Sequence, residues 1–234
     1  MIQITLGDQK LPHIEYEHDG LKRSFDVDHN TLFEFLMRNC YESKSTKKKF
    51  EMPVFETPAL PPGTVKYLSL PDDKVVLFME MKQKNHNIKY HDTNFDNVLF
   101  PNLLFIFVFK PTDGKYVLER KRCFCFKDKV LRDTTKLYRF PFSHVQADGD
   151  MCFFFMSEVQ DLAQMSSFIH NWMSASFTDH YYSQSVTNNW NTSLRHVFTK
   201  LQNETVFDYD KLVESKITVS DIVKQFVKNY HPEG

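Results

Sequence analysis

The alternation of apolar and polar positions changes character more than once along the chain. Residues 1 to about 30 alternate, with turn-forming Gly7-Asp8 and Asp19-Gly20 between the apolar positions, which predicts two short strands paired as a hairpin. From Asn30, a residue type that caps helices well, the stretch "NTLFEFLMRNCYES" places Leu32, Phe33, Phe35, Leu36 and Cys40 at helical spacing. Cys40 falls on or near the apolar face of that helix and reads as packed. The next stretch, "KSTKKKFEMPVFETPALPPGT", is polar and then proline-punctuated, as a linker or domain entrance would be.

After Pro61-Pro62-Gly63 the period shortens. "TVKYLSL", "VVLFMEMKQ", "IKYH", "NVLFPNLLFIFVFK", "YVLERKRCFCF" and "KLYRFPF" are successive strand-like runs, with turns expected at "PDDK", "NHN" and "PTDGK". They predict a meander of about four to six strands. Cys123 and Cys125 lie two apart and share a strand face. Beyond Cys152 the period lengthens again: Val159, Leu162, Met165, Ile169 and Trp172 follow at helical spacing, with Ser157 as the expected cap. "NWNTSLRHVFTKLQ" and "TVSDIVKQFVKNY" are two further amphipathic helices, separated by "NETVFDYD". Strands followed by helices define an α+β fold class, here an antiparallel β-meander followed by helices.

Composition narrows the function classes. With 41% hydrophobic and 25% charged residues the chain is globular rather than disordered or fibrous. A net charge of −1 lacks the basic footprint of a phosphate-gripping protein, so no direct nucleic-acid contact is expected. The one basic run, Lys44 and Lys47 to Lys49, is flanked by Glu42 and Glu51 and reads as a solvated loop. The N-terminus has no secretory pattern, and the apolar run from Val98 to Lys110, interrupted by Pro101, is too short to cross a bilayer. A soluble, cytoplasmic chain with reduced thiols is expected.

Neither a phosphate-binding glycine loop, a nucleophile elbow nor His-Glu-x-x-His is present in the sequence. A zinc set of Cys123, Cys125, His144 and Cys152 fits poorly, because structural zinc draws on cysteines spaced so that a turn lets both thiolates converge. Two cysteines facing an aromatic core is the better reading; no metal and no cofactor are expected. Cys152 differs. In "FSHVQADGDMCF" it follows an Asp148-Gly149 turn and lies between the apolar segments "LYRFPF" and "FFFM". It is either a thiol presented on a loop fixed at both ends or a small hydrophobe opening a buried run.

The register of that stretch resembles ubiquitin-conjugating enzymes, whose His-Pro-Asn-Ile/Val is followed by three residues, Gly, two residues and the nucleophilic Cys. Here Val145 stands at the aliphatic position, Gly149 at the glycine and Cys152 at the nucleophile, with His144 in place of the asparagine. Leu60 to Val65 ("LPPGTV"), Pro101 to Phe105 ("PNLLF"), Leu137 to Cys152 and Ser174 to His180 ("SASFTDH") resemble more closely the bacterial ubiquitin-conjugating-like family D, protein B of the ParB-related, ThiF-related cassettes.

The resemblance implies a ubiquitin-conjugating-like (UBC-like) core over residues 59–182, an N-terminal strand and helix extension over 1–58, and C-terminal helices over 183–234 packed on the core. It also implies transthiolation: Cys152 takes a small ubiquitin-like protein from a ThiF-type adenylating enzyme as a thioester and passes it on. His144 then stands as hydrogen-bond donor or base, Gly149 and Asp148 as turn residues, and His180 as a possible lining of the site. The chain departs from the pattern at His144, at Ser143 for proline, at Phe153 to Phe155 after the cysteine, and at Asp150, whose charge is expected to raise the thiol pKa. These departures keep open a second reading, a catalytically degenerate binding or scaffold protein of a plasmid or mobile-element cassette.

Overall fold

A computed structural model describes residues 2–5, 11–18, 21–40, 57–70, 73–152 and 157–230. The basic run at 44–49 and Phe153 to Phe155 lie outside the described residues, as does the side chain of Cys40. The chain divides into two compact units, Met1–Glu56 and Thr57–Gly234.

In the first unit β1 (Ile2–Thr5), β2 (His13–His18) and β3 (Leu21–Asp26) form an antiparallel sheet, one strand more than the alternation predicted. Helix α1 (His29–Cys40) follows. Its cap is Asp28 rather than Asn30: the Asp28 carboxylate accepts the backbone N–H groups of Asn30 and Thr31, both at 3.0 Å. Ile14, Val27 and Leu32 are its described buried apolar residues.

The second unit is mixed α+β and mostly antiparallel. Strands β4 (Thr64–Ser69), β5 (Val75–Met81), β6 (Lys84–Tyr90), β7 (Thr93–Phe100), β8 (Asn102–Thr112) and β9 (Lys115–Phe126) follow one another in the chain. Next come β10 (Lys136–Tyr138), β11 (Glu158–Val159), α2 (Met165–Ser174), β12 (Ser176–Phe177), α3 (Leu194–Leu201), β13 (Glu214–Thr218) and α4 (Val219–Tyr230). The main sheet runs β13-β10-β9-β8-β5-β4, with β11 added to β9, and a smaller sheet runs β12-β6-β7. The meander is therefore interrupted: β5 pairs with β8, and the intervening β6–β7 hairpin joins the smaller sheet instead.

The physical reason is burial. β5 and β8 are apolar at successive positions and are covered on both faces, whereas β6 and the first half of β7 are largely exposed, β7 becoming buried at successive positions only from Val98 to Phe100. Leu103, Phe105, Phe107 and Phe109 point into one core with Cys123 and Cys125, where Trp172 of α2 meets Phe105 at 5.7 Å and Phe168 meets Phe107 at 5.2 Å. Leu104, Ile106 and Val108 point to the other side, with Phe124 and Phe126, against Ile222 and Phe226 of α4. Asn87, read from sequence as part of a turn, lies within β6; its Oδ1 accepts the Asn97 N–H at 3.0 Å beside a register shift.

Two further boundaries differ from the pattern. The helix expected from Ser157 begins only at Met165, because Glu158 and Val159 pair with Val117 and Tyr116 of β9 and a short 3-10 turn follows. Asp161 caps that turn, accepting the Ala163 N–H at 2.9 Å. The segment after residue 182 contributes a strand as well as helices: β13 lies at the sheet edge against β10. Ser193 caps α3, where its hydroxyl accepts the His196 N–H at 3.4 Å. Among the described residues no helix is long and apolar enough to cross a membrane.

Candidate functional site

The stretch from His144 to Cys152 closes on itself. Cys152 N–H donates to the His144 carbonyl at 3.0 Å, Val145 bridges Met151, and Gln146 N–H donates to the Asp150 carbonyl at 2.8 Å. At the tip Gly149 N–H donates to the Gln146 carbonyl at 2.9 Å, and the Asp148 carboxylate accepts the Asp150 N–H at 3.1 Å. This narrow loop lies along β9: Gly149 accepts from Cys123 N–H at 2.9 Å, and Met151 N–H donates to Lys121 at 3.1 Å. Gly149 has φ +92°, and a Cβ there would lie 2.3 Å from the Phe124 ring, so both backbone conformation and space demand glycine.

Asp150 points away from the thiol chemistry expected of it. Its carboxylate accepts a bidentate pair from Arg120 at 3.0 Å each and a further bond from Arg122 Nε at 3.0 Å. These arginines outweigh burial and hold the Asp150 carboxyl below its ordinary value. The Cys152 thiol is raised by partial burial, countered by its backbone hydrogen bond and by the charge of Lys121. Asp150 is thus a loop anchor, and the expectation that its charge raises the thiol pKa is corrected: burial does so.

The second half of the site comes from the chain after α2. β12 pairs in parallel with β6, Phe177 opposite Tyr90, and carries Thr178, Asp179 and His180 away from the sheet. Asp179 accepts from Tyr90 Oη at 2.7 Å and lies 3.2 Å from His91 Nε2. Burial, and then the Asp179 carboxylate, push the Tyr90 phenol up to about 12. His180 Nδ1 lies 3.5 Å from Cys152 Sγ, and its ring stacks on Tyr181 at 3.9 Å between centroids. Cys152 is half-buried and His180 exposed.

His144 stands between the two halves at φ +70°. Its N–H donates to the His180 carbonyl at 2.9 Å and its carbonyl accepts from Cys152. Its Nε2 accepts the Thr178 N–H at 3.2 Å and lies 3.1 Å from the Thr178 hydroxyl. Accepting an N–H requires an unprotonated Nε2, which fixes the neutral ring with its proton on Nδ1. Burial, and secondarily the neighbouring His180, lower its pKa in agreement with that form.

Of the residues singled out from sequence, the fold thus brings Cys152, His144, Gly149, Asp148 and His180 into one loop-and-segment pair. The imidazole at the thiol is that of His180, and the His144 ring faces Thr178. Sequence reasoning missed Thr178, Arg120 and Arg122. Arg120 and Arg122 lie 30 and 28 residues from Asp150 in the chain, so neither they nor Thr178 carried a local signal. Cys123 and Cys125 lie fully buried, and burial drives both thiols well above their ordinary value.

Comparison of the chain with family models, curated proteins and solved structures finds no match.

Proposed function

We propose that the unit from Thr57 onward contains a ubiquitin-conjugating-like core over residues 59–182 and that Cys152 carries a small ubiquitin-like protein as a thioester. The observation that carries this reading is the Cys152 Sγ to His180 Nδ1 approach of 3.5 Å, on a loop fixed to β9 by two backbone hydrogen bonds and the bridge between Arg122 and Asp150. The ordered resemblance of residues 60–180 to family D supports the choice of chemistry.

In the proposed step, the thiol proton passes from Sγ to His180 Nδ1 as sulfur attacks the thioester carbonyl of the modifier held by a ThiF-type adenylating enzyme. The tetrahedral intermediate collapses with loss of the adenylating enzyme's thiolate, leaving the modifier on Cys152. An amine or second thiol then displaces Cys152. A nearby base matters because partial burial keeps the resting group a thiol at neutral pH. The same raised pKa is what favours the second reading, a binding or scaffold protein with the same fold.

Incubation with the ubiquitin-like protein and adenylating enzyme of the same cassette and ATP decides between the two. The expected product is an adduct cleaved by thiol reductant. Cys152→Ser converts it to a reductant-resistant ester or abolishes it, and Cys152→Ala abolishes it. An equal adduct on Cys152→Ala overturns the thioester reading, and absence of any adduct with loaded enzyme leaves the scaffold reading standing.

A further inference from the structure

We infer that His144 is a positioning residue: its neutral imidazole clamps the Thr178–His180 segment to the cysteine loop and so holds His180 against the Cys152 thiol. What the thiol is used for rests on the proposed conjugation step; the clamp itself does not.

Three groups of this one residue reach the two halves of the site. The His144 carbonyl accepts the Cys152 N–H, its N–H donates to the His180 carbonyl, and its Nε2 accepts the Thr178 N–H. The backbone bonds fix one point on each side, and Asp179 is held separately by Tyr90 Oη at 2.7 Å, which leaves the Thr178 end of the segment to be fixed against the cysteine loop. Nε2 supplies the third point. Thr178 relays it: its hydroxyl lies 3.1 Å from Nε2 and accepts the His180 N–H at 3.3 Å. The left-handed backbone of His144, uncommon for a non-glycine residue, turns N–H, carbonyl and ring toward these different partners.

Protonation would undo the clamp. An N–H on Nε2 faces the Thr178 N–H donor instead of accepting from it, so the Thr178 N–H bond is lost and the ring can turn its donor only to the Thr178 hydroxyl, the group that holds the His180 N–H. The groups that meet the ring are the Phe177 ring at 5.7 Å, Thr178, and the His180 imidazole at 6.4 Å. Burial and His180 both oppose the charge, so the clamp holds at neutral pH and opens only on acidification below the ordinary histidine range. Glutamine can place an amide oxygen near the position of Nε2 and does not titrate; alanine cannot reach Thr178.

The test uses the full chain with Cys40→Ser as background and needs no modifier. Iodoacetamide alkylation of Cys152 in the folded protein is followed by mass spectrometry at neutral pH. His144→Ala is expected to slow it about tenfold, the effect of about 1.4 kcal/mol, and His144→Gln to recover it to within about threefold of the parent. By NMR, the Thr178 amide resonance should move with a titration below the ordinary histidine range in the parent and lose that titration in His144→Gln. Equal rates for the alanine and glutamine variants overturn the clamp, as does a Thr178 titration that persists in His144→Gln. If His144→Ala does not fold, the glutamine variant and the Thr178 resonance decide alone. A chain that keeps the clamp yet forms no adduct fails the conjugation reading only.

Discussion

Two cysteine environments in the same unit, the pair Cys123 and Cys125 and the single Cys152, show how position rather than residue type sets chemistry. The pair sits toward the end of β9 with side chains on one face, sealed among phenylalanines of β8 and the helices beyond. Burial drives both thiols well up, Cys123 adding to the rise at Cys125, with no imidazole or cation among the causes. Cys152 sits at the far end of a loop laid along the same strand, half-buried, with Lys121 and His180 nearby. The face of β9 that carries Cys123 and Cys125 turns into the aromatic core, so their neighbours are apolar. A loop end lets a second segment bring a base to the sulfur.

The largest expected effect on this contrast is at the loop tip. Gly149→Ala places a methyl group inside the Phe124 ring envelope at an unfavourable φ and is expected to destabilise the unit by about 3 kcal/mol. Gly114→Ala, at φ +75° in the β8–β9 turn with nothing within 4 Å, loses only the conformational freedom, about 1 kcal/mol. Urea denaturation of both variants measures the difference. Equal midpoints would mean that Phe124 yields and that the loop does not depend on glycine.

A smaller effect separates the cysteines directly. Cys123→Ser buries a hydroxyl in an apolar site and is expected to cost about 2 kcal/mol, whereas Cys152→Ser should change stability by less than about 0.5 kcal/mol. If the two substitutions cost the same, Cys152 is a core residue after all.

The smallest effect lies in pH. Burial, then the charges of Lys84 and His170, hold His86 down at about 4. Between the ordinary histidine value of 6.5 and about 4 the unfolded chain binds a proton that the folded chain refuses, so stability falls as pH drops through this window. The lowered pKa of His144 acts in the same direction. His86→Phe is expected to remove about 1 kcal/mol of the loss between pH 7 and pH 5, after allowance for its partial exposure. Urea midpoints at the two pH values read it. An unchanged slope would place the acid sensitivity elsewhere, at His144 first.

Much of the architecture was legible because it follows from local patterning. The apolar runs of β5, β8 and β9 and the 3.6-residue period of α3 and α4 carry their own signal, and Asp113-Gly114 marked the β8–β9 turn, both residues adopting positive φ. The interruption of the meander was not legible. The pattern reads 85–87 as a turn and runs 97–100 on into β8, and it is silent on which strand lies beside β5. Glu158-Val159 read as helix because its spacing suits one; the unpaired edge of β9 overrode it.

At the site, sequence alone determined the loop: an Asp-Gly turn between apolar anchors, a glycine at its tip, and a cysteine at its end, all consequences of short-range backbone chemistry. Only the tertiary structure decided which groups face the sulfur. Asp150, two residues from Cys152, turns to Arg120 and Arg122, while His180, twenty-eight residues away, comes to the thiol. His144 looked from sequence like the thiol's partner, yet its ring is engaged by Thr178. Long-range pairing of β12 with β6 brings in that second segment, and no local pattern encodes the distance between residues so far apart in the chain.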